Sequence, residues 1–312
     1  SRIVNDWIEN QLFTADVVAK IGRQLNIITC LAHSLKSITT SHDLVTVMAK
    51  PTYIVLPVML AYVAQLATAL NLTGQSAQSA VLINSAVYIF GGNVNKKTVA
   101  NLYVLDVSQP WNCTSPAWSN YTSDTIDVPH TMNNAIWPSP DNNSFYVWGG
   151  NNNNRKPLIR SGFSQYNVVT KTWSRPINNS NIPQQRGGIV VTWTHGVAYI
   201  WGGKSDKFTG DKFTHVFDDI ISFDMIKLVW NFLHVARLTP PPRVWYTATM
   251  LSDGQIVIIG GYICQQLNAT TVNSTLALMS NIPVFNTKTT RWTFPNVTGS
   301  IPRRRRGHTA VL

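Results

Sequence analysis

The sequence predicts an all-β fold, a radial array of four-stranded sheets over residues 77–312. Three observations predict it. First, a short apolar strand runs four times into a Gly-Gly pair: Ala86–Gly92, Ser144–Gly150, Val197–Gly203 and Gln255–Gly261. Second, the pairs recur 58, 53 and 58 residues apart, a period that belongs to radial repeat architectures. Third, each pair is followed 23 to 31 residues later by a Trp, at Trp118, Trp173, Trp230 and Trp292.

Each unit reads as four strands in order. An apolar strand comes first, often led by Pro and Arg, as in Pro183 to Arg186-Gly187-Gly188, Pro242-Arg243 and Pro302 to Arg306-Gly307-His308. The second strand ends in Gly91-Gly92, Gly149-Gly150, Gly202-Gly203 or Gly260-Gly261. Strands converge near the axis of a radial array, and Gly-Gly permits positive φ and close backbone approach there. The third strand couples an aromatic to a polar turn residue: Tyr103 to Asp106, Tyr166-Asn167, Phe223-Asp224 and Phe285-Asn286. Asp224 to Lys227 and Asn286 to Thr289 are short polar turns of hairpin type. The fourth strand carries the Trp, whose large apolar area spaces neighbouring sheets. The units so read are 77–121, 131–175, 187–233 and 243–294, with the start of a fifth at 306–312.

This unit resembles the kelch repeat, with its Arg-x-x-His start, aliphatic run into Gly-Gly, aromatic-Asp strand and terminal Trp. The resemblance covers about residues 76–312. Arg306 to Leu312 matches the opening strand; Arg186 and Arg243 supply the Arg, while Ile189 and Tyr246 fill the His position. The first unit has neither Arg nor His. The resemblance implies a β-propeller, and such rings usually close with five to seven blades. Four units and one opening strand are fewer, and an open ring would expose sheet edges. The expectation is therefore a partial ring, a fragment at both ends, in which residues 307–312 form an edge strand.

Ahead of the repeats, residues 53–70 carry no charge and end near Ala67-Thr68-Ala69. Read from Met48, residues 48–69 form a signal peptide with a basic start, an apolar centre and a small-x-small cleavage site. A signal anchor is the alternative. Lys36 and Lys50 precede the run and no charge follows before Lys96, so both readings deliver residues 70–312 outside the cytosol. Residues 1–47 leave two readings open: an amphipathic helix carrying Val4, Trp7, Ile8, Phe13, Val17, Ile21, Leu25 and Ile28, or translated upstream sequence ahead of Met48. Sequons at Asn71, Asn112, Asn120, Asn142, Asn178, Asn268, Asn273 and Asn296 all follow the apolar run. A disulfide between Cys113 and Cys264 would join the first and fourth units, which the array keeps apart.

The formal charge is +11. Residues 70–312 hold 20 Lys and Arg against 10 Asp and no Glu, a balance of +10. A basic surface attracts polyanions, and an exported domain is a poor match for nucleic acid. Radial topology gathers the loops after Gly-Gly on one face. Those loops hold Lys96, Lys97, Arg155, Lys156, Arg160, Lys204, Lys207 and Lys212 against Asp206 and Asp211, with Asn151 to Asn154 beside them. This is the candidate binding face. Arg303 to Arg306 sit on a different connection; the repeat explains one of them.

Catalysis has little support. His130, His195, His215, His234 and His308 show no metal-ligand spacing, so no metal or other cofactor is expected. No nucleophile elbow, phosphate loop or His-Glu-x-x-His is present. The sequence thus points to a non-catalytic, secreted or cell-surface module binding protein or acidic polysaccharide. Membrane attachment would run through residues 53–70 or a further C-terminal segment. Two alternatives stand beside it. One is a fragment of an enzyme like galactose oxidase, which carries kelch repeats and a copper site of Tyr and His ligands. The other is a structural or adaptor domain of the secretory lumen.

Overall fold

A computed structural model describes residues 72–112, 115–153, 162–175, 181–235 and 239–310. The signal segment, residues 1–47, Asn71, Cys113, Arg155, Lys156, Arg160 and Asn178 lie outside these residues.

Four four-stranded antiparallel sheets follow one another, one per predicted unit. The first blade runs Ser79–Ile83, Ala86–Phe90, Leu102–Asp106 and Trp118–Asn120. The second runs Ala135–Pro138, Ser144–Trp148, Phe163–Asn167 and Thr172–Ser174. The third runs Val191–Thr194, Val197–Trp201, Ile220–Asp224 and Val229–Phe232. The fourth runs Thr247–Met250, Gln255–Ile259, Val284–Asn286 and Arg291–Thr293. Each is a simple meander, so every second strand ends on the same face with its Gly-Gly.

Side chains alternate across each strand, so the two inner sheets meet a neighbour on both faces and the first and fourth on one face among the described residues. Val81, Phe90 and Leu102 of the first blade pack on Phe145, Val147 and Tyr166 of the second. Trp137, Trp148 and Phe163 of the second pack on Ile200, Phe223 and Trp230 of the third. Trp201 and Ile220 of the third pack on Tyr246, Ile258 and Phe285 of the fourth.

The four Trp residues occupy equivalent register positions. Trp118 pairs with Leu105, Trp173 with Tyr166, Trp230 with Phe223 and Trp292 with Phe285. Three lean toward the preceding blade: Trp173 lies 4.8 Å from Phe90, Trp230 5.0 Å from Trp148 and Trp292 5.1 Å from Trp201, between ring centroids. Their burial is graded, with Trp230 and Trp292 buried and Trp118 and Trp173 half-buried. Trp118 has no preceding blade to meet among the described residues and joins Ala80, Val87, Ile89 and Leu105 of its own sheet.

The Gly-Gly pairs do what their chemistry predicts. All eight glycines have positive φ. A Cβ on Gly91 would stand 2.3 Å from the Thr131 carbonyl oxygen, which no side chain tolerates. That closeness serves a hydrogen bond. The amides of Gly92, Gly150, Gly203 and Gly261 donate to the carbonyls of Thr131, Arg186, Arg243 and Arg305 on the next opening segment, at 2.8–3.0 Å. Two residues further on, a second series links the openings. Asn133 N–H donates to Ala77, Gly188 to Asn133, Trp245 to Gly188 and Gly307 to Trp245, at 2.9, 3.3, 2.9 and 3.0 Å. This backbone belt passes from each opening segment to the next.

Two expectations change. Three of the segments after Gly-Gly are hairpins: Asn93–Val94 with Lys97–Thr98, Lys204–Ser205 with His215–Val216, and Tyr262–Gln266 with Val272–Leu276, the last also pairing Arg243–Val244. Residues 307–310 form no strand, because no ladder partner runs beside them among the described residues. Their opening contacts are nevertheless in place, and they identify Arg305 as the repeat's Arg.

Candidate binding site: the axial cleft

The opening segments and the Gly-Gly strands end on one face, and the belt brings them together. A cleft of about 310 Å³ opens there. Belt residues Asn133, Gly188 and Trp245 form part of its wall. Asn151, Lys204, Cys264 and Ser274 reach it from the segments after three Gly-Gly pairs. Asn153, Asp206, Phe208, Met132 and Val244 complete the polar and apolar lining.

The polar groups are held in place. Asn153 accepts from the Thr98 amide at 2.8 Å and donates to the Lys96 carbonyl at 2.8 Å, tying the first hairpin to the second blade. Lys204 pairs with Asp206 at 3.1 Å. Asp211 accepts from Ser205 at 2.8 Å and contacts His215 at 2.8 Å. Burial would raise the Asp211 carboxyl, but these hydrogen bonds outweigh it and hold it low. Beside them Phe208 and Phe213 stay exposed, each under a lysine: Lys207 at 5.1 Å and Lys212 at 5.2 Å from the ring centroid. Burial pushes the Cys264 thiol up, so it stays protonated, 3.6 Å from the Ser274 hydroxyl.

Trp245 is the unusual member. Its φ is +55°, a left-handed value at a bulky residue, where other belt positions use Ala77, Asn133, Gly188 and Gly307. A side chain in that region costs on the order of 1–3 kcal/mol. The Arg306 guanidinium lies 4.9 Å from its ring and 5.2 Å from that of Tyr262.

Beneath the cleft sit two buried arginines. Arg186 donates to the Gly202 carbonyl at 3.2 Å and forms a two-pronged pair with Asp219. Arg243 donates to the Gly260 carbonyl at 3.2 Å and to Asn281 Oδ1 at 2.5 Å. With no carboxylate against it, burial lowers Arg243 to about 10. Thr131 repeats the contact on Gly149 O at 2.8 Å. These side chains brace the Gly-Gly ends.

The sequence-predicted face is therefore partly assembled. Lys204 and Asn151 line the cleft, and Lys96 and Lys97 lie on the exposed hairpin that Asn153 anchors. Lys207 and Lys212 stand on the neighbouring hairpin loop, while Arg155, Lys156 and Arg160 lie outside the described residues. The Arg303–Arg306 segment, separated from this face in sequence, meets it: Arg304 donates to the Leu276 carbonyl at 3.2 Å, and Arg306 covers Trp245. Sequence reasoning missed Trp245, Phe208, Cys264 and Ser274. Trp245 was findable, since it stands two residues after a repeat Arg. The histidines remain apart, with His130 on Asp124 and His195 on Thr194.

Comparison with known proteins agrees with the fold. Acyl-CoA-binding domain-containing protein 4 of Arabidopsis thaliana is 24% identical over 240 residues, 74% of this chain and 32% of that protein. Acyl-CoA-binding domain-containing protein 6 of Oryza sativa subsp. japonica is 25% identical over 205 residues, 62% of this chain and 29% of that protein. Kelch domain-containing protein 3 of Rattus norvegicus is 25% identical over 238 residues, 74% of this chain and 59% of that protein. The chain thus matches about a third of the first two relatives' length and under two thirds of the last. The family model described as the KLHDC2/KLHL20/DRC7 Kelch-repeats domain matches residues 77–312, and the chain belongs to that Kelch-repeat family.

Proposed function

We propose that the chain is a non-catalytic binding module that seats a segment of a partner protein in the axial cleft. The observation that carries this is Trp245, whose indole lines the cleft from a strained backbone under Arg306. Ala77 carries the same positive φ with only a methyl group, whereas Trp245 keeps a bulky indole there, and a bulky side chain held in that region points to a role beyond folding. The lining is mostly apolar, with a few fixed amides, the pattern of a seat for an apolar side chain beside a polar backbone. A polyanion fits less well, because Asp206 already neutralises Lys204.

The test is a selection of displayed random linear peptides on the full chain and on Ser274→Trp. Ser274 is exposed, so the larger side chain fills the cleft without entering the core. Parent protein should enrich peptides sharing an apolar residue, and the variant should enrich none. Equal enrichment by both would move the seat elsewhere; no enrichment by the parent would end the reading.

We propose further that the module works in the secretory pathway, at the cell surface or outside the cell. Support comes from the uncharged run 53–70 and from the sequons. Asn112, Asn120, Asn142, Asn268, Asn273 and Asn296 are all exposed. Expression in a eukaryotic secretory host should give a secreted product whose mass falls on glycosidase treatment. A cytosolic, unmodified product would contradict this.

A further inference from the structure

A second cavity, of about 390 Å³, lies at the opposite ends of the first two blades, beside the turn between Ile83 and Ala86. Three tyrosines line it: Tyr88, Tyr121 and Tyr166. Tyr88 and Tyr166 rings stand 6.3 Å apart. Lys171 enters from the second blade, its ammonium 3.1 Å from the Tyr121 hydroxyl and 4.5 Å from that ring's centroid. Asp106 and Asn84 add one carboxylate and one amide. The hydroxyls of Tyr88 and Tyr166 open to the cavity and have no hydrogen-bond partner among the described residues. A hydroxyl that meets a cavity without a protein partner is completed by water or by a ligand.

The chemistry of the wall restricts the occupant. Phenol hydroxyls both donate and accept, as the amide does through its two ends. Burial raises Tyr88 and Tyr166, so both stay neutral. One cation faces one carboxylate, and the cation is already engaged with Tyr121, so no excess charge selects an anion. Apolar patches from Ile83, Val104 and Val168 alternate with these polar groups. A ligand with several hydroxyls and an apolar face matches such a wall.

We infer that this cavity binds one unit of a neutral sugar, separately from the axial cleft. The hydroxyls of Tyr88 and Tyr166 would meet sugar hydroxyls, and the tyrosine rings would take the C–H face. The test uses an array of immobilised neutral and acidic glycans, probed with the full chain and with Tyr88→Phe, Tyr166→Phe, Lys171→Ala and Trp245→Asn. The Phe variants keep each ring and remove only an unpartnered hydroxyl, so thermal midpoints should stay unchanged. Each should weaken neutral-glycan binding roughly tenfold or more, while Trp245→Asn binds as the parent does. Three results would overturn the inference: no neutral glycan bound by the parent, equal binding by Tyr166→Phe, or binding of acidic glycans alone that depends on Lys171.

Discussion

Arg186 and Arg243 are single residues whose burial decides how a blade ends. Each replaces water around a Gly carbonyl with a guanidinium, and each needs a partner on the turn before the third strand. Asp219 fills that place in the third blade and Asn281 in the fourth. Removing a fully buried cation strands its partners. Arg186→Ala should therefore cost about 3–5 kcal/mol by denaturant unfolding. Asp219→Asn should cost clearly less, because the fourth blade already runs on the amide. His308 offers a pH test at the same scale. Burial, with the Arg305 charge adding to it, lowers its folded pKa below the usual value. The unfolded chain then binds the proton more readily, so stability is full above about pH 6.5 and falls as pH drops below it. His308→Tyr, the residue at the equivalent Tyr246 position, should flatten that fall between about pH 7.5 and pH 5.5. An unchanged slope would assign it to other groups.

At the scale of the element, the four Trp strands are alike in register and unlike in depth. Trp230 is enclosed on both sides by the aromatics of two blades, so Trp230→Ala should cost roughly 3–5 kcal/mol. Trp118→Ala should cost least, since its ring stays partly in solvent. Equal costs in urea unfolding would mean that blade packing does not set them. The opening segments give a second prediction. Trp245→Asn puts a residue suited to positive φ where Asn133 already serves the second blade. It should leave the thermal midpoint unlowered while abolishing enrichment of cleft-binding peptides. A large drop in midpoint would make Trp245 a packing residue instead. Elements were also the most legible level of the sequence. Gly-Gly, the aromatic-Asp strand and the Trp are local signals with a fixed period, and all four sheets follow from them. The hairpins after Gly-Gly were not legible, because Lys204–Ser205 and His215–Val216 are two-residue strands whose pairing is set across the intervening loop.

For the molecule as a whole, the belt turns four separate sheets into one arrangement with a shared face. That step lies between fold and site, and it explains what the sequence could and could not reveal about the cleft. Lys204 and Asn151 were legible, because topology alone places every loop after Gly-Gly on one side. The eight-to-two charge balance was legible too, with Asp206 already counted, but that Asp206 pairs with Lys204 is a matter of geometry. Trp245 and Arg306 come together only through hydrogen bonds between residues more than fifty apart in sequence, from Gly188 to Asn133 and from Gly307 to Trp245. The central claim is that this belt holds the blades around the cleft. Amide hydrogen exchange measures it directly at Asn133, Gly188, Trp245 and Gly307, together with Gly92, Gly150, Gly203 and Gly261. These lie in segments without regular strand structure or at strand ends, where unbonded amides exchange quickly. The account predicts protection at the level of the core strands Val197–Trp201 and Ser144–Trp148, lost only on global unfolding. Exchange at these positions as fast as in the exposed segment 298–300 would contradict it.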